Sequence, residues 1–134
     1  MKILRRIFAP KEVRIVLGAL DEVGFEFDCE AFRMLRNRIE DAFLRDYNNV
    51  VSAVEEGISP RQQVYFAIAN LAGDYLESGQ YHLYRGVLNP LGPGEDLLRL
   101  FDVSLDRLVQ SGAIDDGDAK AQKAAIREGI ESVG

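Results

Sequence analysis

The sequence predicts an all-α protein of about five helices in a single-domain helical bundle, with a long central helix and an antiparallel helical hairpin. Three observations predict this class. Apolar residues recur at spacings of three and four along most of the chain, which is the period of one face of an α-helix. Between these segments stand the Pro, Gly and capping residues that begin and end helices. Alternating apolar and polar runs, which are typical of half-buried strands, are missing from the sequence.

The first helix is predicted from Pro10 to Gly24. Pro suits the first helical position because it has no N–H to leave unpaired, and Gly commonly follows the last helical turn. The apolar face expected to enter the core consists of Val13, Val16, Leu17, Leu20 and Val23. Residues 25–27 are predicted to form a short connector.

The second helix is predicted over Cys29–Glu56, because neither Pro nor Gly interrupts this segment. Asp28 is the predicted N-cap, since its carboxylate can accept hydrogen bonds from the first free amides. At ~1.5 Å per residue the helix would be about 40 Å long. We therefore expect it either to break near Asn48 and Asn49 or to project towards a partner.

The third helix begins with a capping box. Ser59, Pro60 and Gln62 have the required spacing, and Gly79 is the predicted end. A helical turn over residues 80–85 completes the predicted antiparallel hairpin.

Five residues in this region have a spacing that resembles the first helix and turn of a tetratricopeptide repeat. They are Leu71, Ala72, Tyr75, Gly79 and Tyr81. We interpret this short resemblance as a sign of a hairpin and assign no family from it.

Two further helices complete the predicted bundle. The Pro and Gly residues within residues 89–94 predict a loop. The following helix is expected to end at Gly112. At the start of the last helix stand three acidic residues whose charges complement its positive end, namely Asp115, Asp116 and Asp118.

The composition is that of one water-soluble domain. The chain has 134 residues, of which 47% are hydrophobic and 28% charged, so we expect residues 1–134 to form a single α-helical domain. The net charge of −6 disfavours binding to nucleic acid. The longest apolar runs are shorter than the ~20 residues of a transmembrane helix. The single Cys29 cannot form an internal disulfide, and we expect a cytoplasmic protein.

Two interpretations of the basic residues 1–9 remain open, and in the first they form an amino-terminal arm. The first fourteen residues include five basic ones and the single acid Glu12. The arm could contact an acidic partner or a membrane surface. Alternatively, it is an amphipathic segment whose charges stay in water while its apolar residues dock on the core. These apolar residues are Ile3, Leu4, Ile7 and Phe8.

A cluster of polar and aromatic residues beside the predicted loop supplies one candidate site. It consists of Tyr81, His82, Tyr84, Arg85 and Asn89. Arg85 would bind a carboxylate or phosphate between the two phenols, and His82 would carry a proton. In the alternative interpretation the tyrosines pack the hairpin, Arg85 pairs with an acid on a neighbouring helix and His82 faces solvent.

Other catalytic chemistries lack a convergent set of residues in the sequence. One His cannot supply the His pair of a typical zinc site. Cys29 stands between two acidic residues, which oppose thiolate formation. Arg36 and Glu40 have the spacing of an ordinary surface ion pair on one helix. We expect no catalytic residue, no metal and no cofactor.

Two functional hypotheses follow. The first is a small soluble, non-catalytic interaction or regulatory module that binds a protein partner or self-associates, because the second helix is overlong and the third carries a wide apolar stripe. The alternative is a small anionic-ligand binder or enzyme with a pocket lined by Tyr81, Tyr84 and Arg85.

Overall fold

The computed structural model describes residues 6–78 and 92–133. Residues 6–8 are helical, and six longer helices follow them. The six helices are α1 (Lys11–Glu26), α2 (Glu30–Arg45), α3 (Tyr47–Glu55), α4 (Pro60–Ser78), α5 (Gly92–Gln110) and α6 (Asp116–Val133). These residues contain no strand. The predicted all-α class is therefore confirmed, while the number of helices exceeds the predicted five.

The predicted long second helix is interrupted at Asp46. This residue has φ −110° and ψ 48°, outside the helical region, and its N–H bonds the carbonyl of Ala42 at 2.9 Å to end α2. After the break, α3 packs against α1 and buries Val50. A continuous helix over Cys29–Glu56 is thus wrong, and the expected break occurs just before Asn48.

The junction between α1 and α2 differs from the prediction at two residues. Gly24 does not end α1, which continues to Glu26; a Cβ at position 24 would lie 3.2 Å from the ring of Phe32. Gly24 therefore permits close contact between the two helices. Asp28 does not cap α2, because the N-cap is Cys29 and the Asp28 carboxylate instead accepts a hydrogen bond from Arg33 at 3.1 Å.

α4 and α5 form an antiparallel pair with the most extensive packing between helices in the described part of the chain. Gln62, at the start of α4, donates to the carbonyl of Ser111 just beyond α5 at 3.3 Å. Further along α4, Gly73 faces the ring of Phe101. The predicted second arm of the hairpin, residues 80–85, lies outside the described residues.

The predicted start of α4 is confirmed in atomic detail. The N–H of Ser59 donates to Oε1 of Gln62 at 2.8 Å, and the N–H of Gln62 donates to Oγ of Ser59 at 3.2 Å. This reciprocal pair is a capping box. The start of α5 differs from the prediction, because the helix already begins at Gly92, within the predicted loop 89–94.

Buried apolar side chains from all six helices form one core cluster. The predicted core face of α1 is confirmed, since all five of its apolar residues are buried.

Gly112 lies just after α5 and adopts φ +80°, as the prediction of a helix end there requires. α6 packs on α4 and α5, where it buries Ala119 and Ile126.

Candidate interaction surface

The residues predicted to bind a small ligand all lie outside the described residues. They are Tyr81, His82, Tyr84, Arg85 and Asn89. The pocket built on them stays a prediction, and the candidate site must come from the described helices.

α1 carries a row of exposed residues on the side opposite the core. The row, called here the α1 stripe, consists of Lys11, Ile15, Gly18, Glu22 and Phe25. Spacings of four and three place these residues along one line of the helix. Ile15 is 48% exposed and Phe25 is 88% exposed. The core therefore does not account for the two apolar side chains of the stripe.

Phe8 adds an exposed ring beside the amino-terminal end of α1. Phe8 is 83% exposed and Ile7 is 57% exposed, so the interpretation in which the amino-terminal apolar residues dock on the core is wrong for these two residues. Arg6 turns inwards instead, where it pairs with Asp21 and Glu40. This orientation leaves the neighbouring apolar side chains in solvent. Ile3 and Leu4 lie outside the described residues.

A cluster of ion pairs holds the amino-terminal segment to α1 and α2. Arg6 donates to Asp21 at 3.2 Å and to the buried Glu40. Burial lowers the pKa of Arg6, but hydrogen bonds to the two carboxylates outweigh it and the pKa is raised. Arg36 pairs with Asp21 on α1. The predicted surface placement of an Arg36–Glu40 pair is wrong, because Glu40 is buried; Glu40 binds Arg6 and Arg36 binds Asp21.

A groove of about 650 Å³ opens beside Phe25, between the end of α1 and the first half of α2. Phe27 and Phe32 line it together with Arg33 and Arg36. Both arginines bind aspartates that also line the groove. Phe27 and Phe32 are buried, so the exposed ring at this groove is that of Phe25, beside internally neutralised charges.

A second polar cluster joins α1, α4 and α5. The hydroxyl of Tyr65 donates to Oε2 of Glu26 at 2.6 Å, and Nε of Arg107 donates to Oε1 at 2.6 Å. Arg61 donates to the Tyr65 oxygen at 3.2 Å. Burial, followed by the bond to Glu26, raises the pKa of Tyr65. A cleft of about 610 Å³ lies alongside, but these groups bind one another and connect three helices.

Neither a metal site nor a membrane span is found in the described part of the chain. Residues 6–78 and 92–133 contain no group of three or more His, Cys, Asp or Glu placed to hold a metal ion. None of the helices in these ranges combines the length and the apolar character needed to cross a bilayer. Cys29 is a buried free thiol.

Comparisons with known proteins give no match. No family model matches this chain, and neither the curated proteins nor the solved structures include a significantly similar one.

The sequence prediction missed the α1 stripe, although a signal for it was present. Ile15 does not belong to the predicted core face of the first helix, and Phe25 was placed in a connector because Gly24 was expected to end that helix. The signal is an apolar residue that lies outside the predicted core face of its helix. With α1 extended to Glu26, Phe25 falls in line with Ile15.

Proposed function

We propose that this chain is a small non-catalytic helical interaction module that binds a protein partner or another copy of itself. The α1 stripe supports the proposal, because a rigid helix presents Ile15 and the 88% exposed Phe25 to solvent. Large aromatic side chains are enriched at the energetically dominant positions of protein interfaces. We also propose a cytoplasmic location, which is consistent with the single buried thiol of Cys29.

Ion pairs on both sides of the stripe support a role in binding. Asp21 connects α1 to Arg6 and Arg36, while Glu26 connects it to Arg107. Helix α1 is thereby fixed before a partner arrives. A surface that is already ordered loses less conformational entropy on binding, so more of the contact energy appears as affinity.

Capture by the immobilised protein tests this proposal. We expect wild-type protein to retain specific proteins, or further copies of itself, from a lysate of its source cells. The double variant Ile15→Ser, Phe25→Ser should retain them at least about tenfold less well, a loss of ~1.4 kcal/mol. Both residues are exposed, so the circular dichroism spectrum and Tm should change little.

The variant Val54→Ser is the matched control, because Val54 is an exposed apolar residue on α3 rather than on α1. It should retain the same proteins as wild type. Equal retention by wild type and the double variant would contradict the proposed role of the α1 stripe.

A further inference from the structure

We propose that the α1 stripe docks on the α1 stripe of a second copy of this chain, with the two helices antiparallel about a two-fold axis. This inference rests on the proposed function and specifies its partner. A two-fold interface uses the same patch on both copies, so each contact occurs twice and the patch must complement itself.

One antiparallel register makes the stripe complementary to itself. When Ile15 lies opposite Gly18 of the second copy, Lys11 lies opposite Glu22 of the second copy. A Cβ built at Gly18 meets no atom within 4 Å. The missing side chain therefore leaves room for Ile15 of the other helix, and the backbones can approach closely.

The charges favour this orientation over the parallel one. Lys11 and Glu22 are exposed, and among residues 6–78 and 92–133 the partner of Glu22 is Arg61, which binds Oε2 at 3.2 Å. Oε1 is therefore free to accept from the lysine of the second copy. A parallel pair would place Lys11 against Lys11 and Glu22 against Glu22, and such like-charge contacts oppose association.

Aromatic residues lie at both ends of the proposed interface. In the antiparallel arrangement, Phe25 of one copy reaches the amino-terminal end of the other α1. Phe8 lies exposed at that end. Edge-to-face or offset ring contacts there would add to the affinity.

The expected dimer is weak. α1 has 16 residues and is about 24 Å long at ~1.5 Å per residue. One helix pair of this length buries less than the ~800 Å² per partner of a standard interface. We therefore expect reversible association with a Kd in the micromolar range or above. The spacing of four and three fits two helices that cross at a small angle.

Sedimentation equilibrium of the full chain, from about 10 µM to about 1 mM, spans the expected Kd range. Wild type should show a monomer–dimer equilibrium. The charge reversals Lys11→Glu and Glu22→Lys should each weaken it about tenfold or more, because each creates two like-charge contacts. The double variant K11E, E22K should dimerise like wild type. A mixture of the two single variants should form heterodimers.

Two control variants separate weaker dimerisation from a change in folding. Lys120→Glu reverses an exposed charge on α6 and should leave dimerisation unchanged. Gly18→Leu should raise the Tm of the monomer, since Leu favours the helix more than Gly does, yet abolish the dimer by filling the space for Ile15. Retained dimerisation in Gly18→Leu would overturn the register.

A wild type that stays monomeric up to about 1 mM, or a double variant that fails to recover, would overturn self-docking. If a lysate protein is then still captured through Ile15 and Phe25, the proposed function stands and only its partner is wrong. Binding to vesicles of phosphatidylserine and phosphatidylcholine that Lys11→Glu abolishes, with a monomeric wild type, would assign the stripe to a membrane and overturn both.

Discussion

Arginine side chains form several of the bonds between helices in this molecule. Arg6 and Arg36 bind Asp21, Arg107 binds Glu26, and Arg127 of α6 binds Asp102 of α5. A guanidinium presents several N–H groups in one plane, so one side chain can serve two acceptors. These contacts fix the relative positions of elements that are far apart in sequence.

Arg6 is expected to matter more for stability than its place near the amino terminus suggests. Arg6→Ala removes a cation from Glu40, which is 3% exposed, and a buried carboxylate is costly when a partner is lost. We expect the free energy of unfolding to fall by about 1–3 kcal/mol. Urea denaturation measures this change.

Arg33→Ala is the matched control, because the Arg33 pair with Asp28 is exposed on both sides. Its loss should change the free energy of unfolding by less than about 0.5 kcal/mol. Equal losses of unfolding free energy in both variants would show that the burial of Glu40 does not determine how much Arg6 stabilises the protein.

The Tyr65 hydroxyl is expected to stabilise the folded protein at neutral pH and to lose this effect at alkaline pH. Tyr65→Phe removes the hydrogen bond to Glu26 and should cost about 1–2 kcal/mol at neutral pH. Because burial and Glu26 raise the pKa of Tyr65 in the folded state, the folded protein holds this proton more tightly than the unfolded chain. The stabilising contribution is complete below the unfolded pKa of about 10 and is lost as the pH rises through the folded pKa.

Denaturation of wild type and Tyr65→Phe between pH 7 and pH 11, around the usual tyrosine pKa of about 10, measures the difference directly. The stability gap between the two proteins should narrow above about pH 10. A gap that stays constant over this range would contradict the assignment of the raised pKa to Tyr65.

Ser104 is a buried residue whose replacement should stabilise the protein. It is fully buried in α5, and its hydroxyl has no hydrogen-bond partner among the described residues. A buried unpaired hydroxyl carries an uncompensated desolvation cost. Ser104→Ala should therefore raise the free energy of unfolding by up to about 1 kcal/mol, as thermal or urea denaturation will measure. A loss of stability would mean that the hydroxyl is bonded in solution.

At the scale of the helix, the two glycines of α1 provide a matched comparison. A Cβ at Gly18 meets no atom within 4 Å, whereas a Cβ at Gly24 lies 3.2 Å from the ring of Phe32. Gly18→Ala should raise the free energy of unfolding by about 0.5–1 kcal/mol through helix propensity. Gly24→Ala should gain less or lose stability, because the Phe32 ring must shift.

Urea denaturation at low protein concentration compares the two variants without any contribution from association. Equal gains would show that Phe32 accommodates the added methyl group at no cost. In that case, close packing of α1 on α2 would not require glycine at position 24.

The ends of the helices could be predicted where local residues determine them, but not where contacts with other helices do. The start of α4 could be predicted because Ser59, Pro60 and Gln62 act on their own backbone neighbours. The break at Asp46 was one of two alternatives for the second helix, expected near Asn48 and Asn49, because the length of the helix suggested it and no capping residue marked the position. The end of α1 was misplaced because Gly24 serves the contact with Phe32.

For the whole molecule, periodicity predicted the helical class and the core face of α1, but not how the helices pair their charges. The spacing of Arg36 and Glu40 predicted a bond within one helix, whereas each residue binds a partner brought close by the fold. The α1 stripe could have been anticipated from Ile15, yet its extent depended on the unpredicted last turn of the helix. Its partner depends on a second molecule.

The antiparallel packing of α4 and α5 has a consequence for the route by which the chain folds. Because these helices share the largest interface in the described part of the chain and are consecutive there, we expect their contact to form early, in the transition state. Ile68→Val in α4 should therefore slow refolding. Ile126→Val in α6, which joins this pair from the edge, should mainly speed unfolding. Stopped-flow refolding and unfolding rates distinguish the two effects, and the opposite pattern would place the nucleus elsewhere.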